Sequence, residues 1–150
     1  MSIYVSGRGY DKYVGDQCRI IVAGESALMR VGLTSIICDR IQAWTTHTEI
    51  SEVKTTFIEW YANPLANEEF DVNPSIECAN ILEPTRERAL IEYILFKDYF
   101  NEGTLIEGLK NYIWLNKGDM SKLYEEAPKF SVPEWAVTYW IEEAKNDYDD

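Results

Sequence analysis

A single histidine, His47, and three cysteines, Cys18, Cys38 and Cys78, are the side chains in this sequence best suited to nucleophilic or metal chemistry. A structural zinc would ask for clustered ligands, and the chain has neither a CxxC pair nor a second histidine. His47, in a Thr-rich strand end or turn, can still meet a cysteine through the fold, because base and nucleophile need not be neighbours in sequence. An ordinary polar histidine is the competing reading. Ser26 lies in Gly-Glu-Ser-Ala-Leu, which is not the Gly-x-Ser-x-Gly elbow, so it reads as a capping or second-turn hydroxyl. The segment GRGYDKYVG from Gly7 lacks both the GxGxxG spacing and the Gly-Lys-Ser/Thr ending of a phosphate loop. Carboxylates are plentiful, but Glu87 with Glu92, Glu125 with Glu126, and Glu142 with Glu143 read as solvated helix faces. A glycosidase pair or a magnesium site would need a proximity that spacing alone does not supply. The terminal run from Asp147 to Asp150 lacks the glycine turn of a calcium loop. No catalytic residue, metal site or cofactor is therefore expected.

Recognition of another macromolecule has better candidates. Arg86 and Arg88 flank Glu87 at the start of a predicted helix, where the helix field disfavours cations. Such arginines call for a salt bridge, with Glu83, Glu92 or an acid of another helix as the partner, or for an exposed recognition role. The chain also holds five Trp and ten Tyr, more than a core of this size ordinarily uses, and both types are enriched at interfaces. The candidate partner-binding residues are accordingly Arg86, Arg88, Trp44, Trp60, Glu142 and Glu143.

The elements that must position these residues divide at Glu83–Ile94, EPTRERALIEYI. Thr85 is an N-cap, Ala89, Leu90, Tyr93 and Ile94 recur at helical spacing, and Pro84 favours extended geometry just before them. Upstream the apolar residues alternate or form short β-branched runs. Arg19–Val22 predicts a buried strand, Ala27, Leu28 and Val31 a short helix ended by Gly32, and Ser35–Cys38 and Arg40–His47 successive strands. Val53–Tyr61 predicts a further strand with apolar side chains on both faces, residues 62–75 a loop, and Ile76–Leu82 the last strand. Downstream the helix from Thr85 is predicted to run to about Phe100. Thr104 with Glu107 and Ser131 with Glu134 form capping-box patterns, with Pro128 ending a short helix between them. Val132, Trp135, Ala136, Tyr139, Trp140 and Ala144 share the expected inner face of the final helix, and the tail from Asn146 is expected to fray.

The expected fold is α+β, with a small mixed or antiparallel sheet in the N-terminal half packed against a C-terminal bundle of about four helices. At 150 residues, a single compact domain 1–150 is the expectation. It comprises a loop-rich arm at 1–17, a mainly sheet region with one short helix at 19–82, and a helical half at 83–148. The formal charge is −12 and is uneven: ten acids face six bases in residues 1–75, and sixteen face eight in 76–150. That balance opposes direct binding to a nucleic-acid backbone and suits plain solubility, a basic protein partner, or the nucleic-acid groove of such a partner. Unpaired, distant cysteines and the absence of a signal-peptide opening or membrane span predict a cytoplasmic site. An unpaired sheet edge would admit a homodimer.

IIVAGESALMRVGLTS, the alternating strands after it, EPTRERALIEYI and the terminal helices together resemble the AbiEi-type antitoxin family of type IV toxin–antitoxin systems, over about residues 19–145. The matching positions are Ser26-Ala27-Leu28, Gly32-Leu33 and Thr85–Leu90, which correspond to a Ser-Ala-Leu helix, its Gly-Leu ending and the opening of the helical half. Arg86 stands where the family often has proline. The resemblance covers the non-DNA-binding portion only, since a basic winged helix-turn-helix is not expected before Arg19. It implies a fold and a role in countering another protein, with no catalytic residues. The leading expectation is a non-catalytic inhibitor or regulator whose basic partner is a toxin or a nucleic-acid-processing effector such as a CRISPR nuclease. Two alternatives stand beside it. A DNA-associated transcriptional regulator would need a basic face built from Arg8, Lys12 and Arg19 or from Arg86 and Arg88. A small cytoplasmic enzyme would need a site near His47.

Overall fold

A computed structural model of the protein describes residues 20–36, 41–45, 58–62, 70–76, 81–115 and 117–149. Its strands β1 (Ile20–Val22), β2 (Ile41–Thr45), β3 (Ile58–Ala62), β4 (Val72–Pro74) and β5 (Ile81–Pro84) form one mixed sheet in the order β3-β2-β1-β5-β4. Strand β1 runs antiparallel to β2 and parallel to β5, β2 runs parallel to β3, and β4 runs antiparallel to β5. One short helix, α1 (Gly24–Arg30), interrupts the sheet half, and α2 (Arg86–Leu95), α3 (Glu102–Lys110), α4 (Met120–Glu126) and α5 (Glu134–Asp149) follow it. The protein is thus α+β, with the sheet in the N-terminal half and most helices in the C-terminal half.

The central strands read as continuous apolar runs because both of their faces are covered. Ile20, Val22, Ala43 and Ile81 join Leu28, Leu90, Leu105 and Leu109 in the main core, while Ile21, Ala23 and Leu82 pack on the other side with Val72, Phe96 and Phe100. The register agrees, with Ile20 opposite Ile81 and Ile21 opposite Leu82.

Helix α1 has no side-chain cap of its own, since Ala23 precedes it. Gln42 reaches over from β2 instead, and its Oε1 accepts hydrogen bonds from the amides of Glu25 at 2.7 Å and Ser26 at 3.3 Å. In return Ser26 Oγ accepts from the Gln42 amide at 2.9 Å. Ser26 is therefore a buried tie between helix and strand, not the capping or second-turn hydroxyl its position suggested. Gly24 lets the chain make this corner at φ +57°, where a Cβ would lie 2.5 Å from Phe100 Cε1.

Thr85 caps α2 as expected, its hydroxyl accepting from the Arg88 amide at 3.2 Å. The helix stops at Leu95, short of Phe100, and gives way to a 3-10 turn at Lys97–Tyr99. Asn101, not Thr104, caps α3, accepting from the Thr104 amide at 3.2 Å. Glu107 is drawn elsewhere: it accepts from Thr34 Oγ1 at 2.6 Å and from the Ser35 amide at 3.0 Å, tying the segment after α1 to α3. Pro128 tightens the end of α4 into a 3-10 turn, Ala127–Phe130. Ser131 closes that turn at φ 58° and so does not cap α5, which begins three residues later. The helix then runs to Asp149, past the expected fraying point at Asn146.

Two sheet expectations change. Residues 72–74, read as loop, form β4 because their backbone pairs with β5, and the final strand is Ile81–Pro84, with Ile76 exposed outside it. Ser35 and Ile36 follow an irregular path. The arm at 1–17, His47 and all three cysteines lie outside the described residues.

Candidate functional site

Helix α2 settles where its two arginines go. Arg86 is exposed, and its Nε donates to the Val31 carbonyl at 3.2 Å. Arg88 is fully buried, which leaves it no surface to offer a partner. Its Nε meets Glu92 Oε1 at 3.2 Å, and its Nη1 donates to the Phe70 carbonyl at 2.6 Å. The guanidinium carbon lies 4.9 Å from the Phe70 ring centre and 5.2 Å from that of Phe130. Stacking, an ion pair and a carbonyl acceptor together compensate the loss of water. Arg88 thus pins the turn at Phe70–Asp71 to α2, which is the internal salt-bridge outcome. The basic face that a DNA-binding reading would draw on loses Arg88, while Arg8, Lys12 and Arg19 lie outside the described residues.

Beside this turn is a polar cleft of about 310 Å³ lined by Asp71, Thr85, Glu87, Lys122, Glu125, Glu126 and Lys129. Lys129 Nζ bridges Asp71 Oδ2 at 2.7 Å and Glu126 Oε1 at 3.0 Å. Burial raises the Glu126 carboxyl above the ordinary glutamate value, and the neighbouring Asp71 outweighs part of the lowering by Lys129. Burial would raise Asp71 as well, but hydrogen bonds from Lys129 and Glu126 overcome it and hold that carboxyl low. One ammonium, Lys129, thus serves two acids of the cleft. Glu87 is engaged too, accepting from Tyr112 Oη at 2.8 Å. Burial and the Glu87 hydrogen bond push the Tyr112 phenol up.

Among the described residues, α5 carries two exposed aromatic rings side by side. Val137, Trp140, Ile141 and Ala144 are buried, whereas Trp135 is 73% and Tyr139 51% exposed. That differs from the expected inner face, which grouped Trp135 and Tyr139 with Trp140 and Ala144. The set expected to share one face spans too wide an arc of the helix, and the core takes the part centred on Val137 to Ile141. With Ile94, Lys97, Ala136 and Trp140, the two exposed rings line a groove of about 190 Å³. Tyr139 stands edge-on to Trp140, with ring centres 5.1 Å apart. Glu142 and Glu143 lie one turn beyond Tyr139 on the same helix, so two of the expected partner-binding residues adjoin the aromatic surface. Glu142 is exposed and its Oε1 lies 3.8 Å from Lys145 Nζ. Trp44 and Trp60 sit in β2 and β3, opposite Tyr61 and Ala43 respectively, and their side chains lie outside what is described. Trp135 and Tyr139 were missed as a site because their helical spacing with Trp140 and Ala144 read as core.

Among the described residues, no three His, Cys, Asp or Glu side chains assemble into a metal-binding group, and no helix is long and apolar enough to cross a membrane. No protein-family model and no curated protein matches the chain.

Proposed function

We propose that this protein is a non-catalytic inhibitor or regulator that binds a basic protein, a toxin or a nucleic-acid-processing effector, through the aromatic and acidic surface of α5. The observation that carries the reading is the exposure of Trp135 and Tyr139 beside an apolar groove, on a helix that also bears Glu134, Glu142, Glu143, Asp147 and Asp149 against Lys145. Aromatic anchors with a charged rim are the usual composition of a protein-binding hot spot. A net charge of −12 would steer such a surface toward a basic partner and slow its approach to nucleic acid. The antitoxin-like part of the proposal rests on the resemblance of Ser26–Leu28, Gly32-Leu33 and Thr85–Leu90 to that family.

The test is affinity capture from the native host at physiological salt, followed by competition with the captured protein's nucleic-acid substrate. A basic partner should be retained by the wild type and released by excess substrate. Trp135→Ala/Tyr139→Ala should weaken retention by about 30-fold or more, the loss of about 2 kcal/mol typical of a hot-spot residue, with thermal stability nearly unchanged. Recovery of no stable partner, or equal retention by the double variant, would overturn the proposal.

A further inference from the structure

Glu126 is 4% exposed, and its Oε2 is a buried oxygen that accepts no hydrogen bond from the described residues. The Asp71 carboxyl is its neighbour across one ammonium, since Lys129 Nζ meets Asp71 Oδ2 at 2.7 Å and Glu126 Oε1 at 3.0 Å. Two carboxylates on one ammonium keep a net negative charge, and with Glu126 buried and one of its oxygens unmet, that charge favours a proton on the pair. The arrangement also has a mechanical position. Asp71 adopts φ 54°, its carbonyl accepts from the Thr85 amide at 2.9 Å, and the preceding Phe70 carbonyl is held by Arg88. This turn leads directly into β4, an edge strand of three residues.

We propose that Asp71, Glu126 and Lys129 form a proton-operated latch, closed when the acid pair holds one proton and loosened when that proton leaves, which fixes the 70–71 turn and strand β4 onto the helices. The other charged groups around it set its background. From α2 come Glu87, Arg88 and Arg88's partner Glu92; from α4 come Lys122 and Glu125. Arg88 lowers Asp71 further, so the shared proton resides chiefly on Glu126. Deprotonation then places a second negative charge in a buried position against one ammonium. The sign follows. A carboxyl whose closed-state proton affinity is raised favours the closed state at lower pH, and that preference is lost as pH rises through the raised value. The latch is independent of the partner surface on α5.

Two measurements on the full-length protein test it. In the wild type, carboxyl-carbon NMR should show Glu126 titrating above the ordinary glutamate value of about 4.3. Amide hydrogen exchange, corrected for intrinsic rates, should show the Thr85 opening constant rising between about pH 4 and pH 8 by the factor that the measured Glu126 midpoint requires. Glu126→Gln can still accept from Lys129 through its oxygen and donates an amide to Asp71, so it should remain closed and lose the pH dependence. A Glu126 midpoint at or below the ordinary value, a pH-independent Thr85 opening in the wild type, or an unchanged dependence in Glu126→Gln would each overturn the latch. Should the variant fail to fold, the wild-type titration and exchange decide alone.

Discussion

Replacing Arg88 by Met separates an internal strut from a recognition residue, and its consequence can be worked out from the contacts. The substitution keeps an unbranched chain of similar reach between the Phe70 and Phe130 rings, but removes the donors to Glu92 and to the Phe70 carbonyl. Glu92 is itself buried, so a carboxylate is left in the interior without its arginine. Breaking a buried pair from one side costs about 3–5 kcal/mol. At about 2–4 °C per kcal/mol for a chain of this size, the melting temperature should fall by roughly 10 °C. Urea denaturation followed by tryptophan fluorescence, with the slope of the transition unchanged, is the assay. Arg88→Met/Glu92→Leu should recover most of the loss, because removing both charges avoids the stranded carboxylate. Arg86→Ala, at an exposed position on the same turn, should stay within about 0.5 kcal/mol of wild type. A loss below about 1 kcal/mol for Arg88→Met would refute the interior placement. A double variant no better than the single one would show that the stranded charge is not the cause.

Gly24→Ala should destabilise the protein by roughly 2–4 kcal/mol, since it adds a left-handed conformation for alanine to a clash with Phe100 and Gln42; chemical denaturation measures it, and a neutral result would exclude the tight corner. Tyr112 has its phenol pushed above the ordinary value, so its contribution to stability is present below about pH 10 and is lost as pH rises further. In an alkaline titration at 295 nm it should ionise after the ordinary tyrosines, and Tyr112→Phe should remove that late step at a cost of about 1–2 kcal/mol.

What could be read from sequence was local chemistry. Pro84 followed by Thr85 marks a strand-to-helix switch within a few bonds, and the cap forms as expected. The cation at the start of α2 was a true signal of a tertiary partner, although spacing could not choose between Glu83, Glu92 and a surface. What stayed hidden is nonlocal. Thr104 and Glu107 have capping-box spacing, but Asn101 is the cap, while Glu107 binds groups more than 70 positions away. Gln42 lies in the strand expected at Arg40–His47, where nothing local shows that its side chain closes the N-terminus of α1. Val72-Asn73-Pro74 has loop composition and becomes a strand through its pairing with β5. Glu126 appeared as one of two adjacent acids on a solvated face; Asp71 and Lys129 make it something else.

Helix α5 brings these scales together. At about 100° per residue, its apolar positions from Trp135 through Tyr139, Ala136, Trp140, Ala144 and Val137 to Ile141 sweep an arc of about 240°. A helix packed on one side of a core needs little more than about 100° of apolar stripe. Burial follows that requirement: Trp140, Ala144, Val137 and Ile141 occupy one contiguous sector, and the surplus falls on Trp135 and Tyr139 at the opposite end of the arc. Isolated exposed apolar residues need no explanation, but two adjacent aromatics lining a groove form a patch. Glu142 and Glu143 follow Tyr139 at helical spacing, so the patch is continuous with negative charge. Folding alone accounts for the buried sector. The surplus sector has the composition of a contact surface, and for that reason the proposed partner belongs on α5 and not at the sealed arginine of α2.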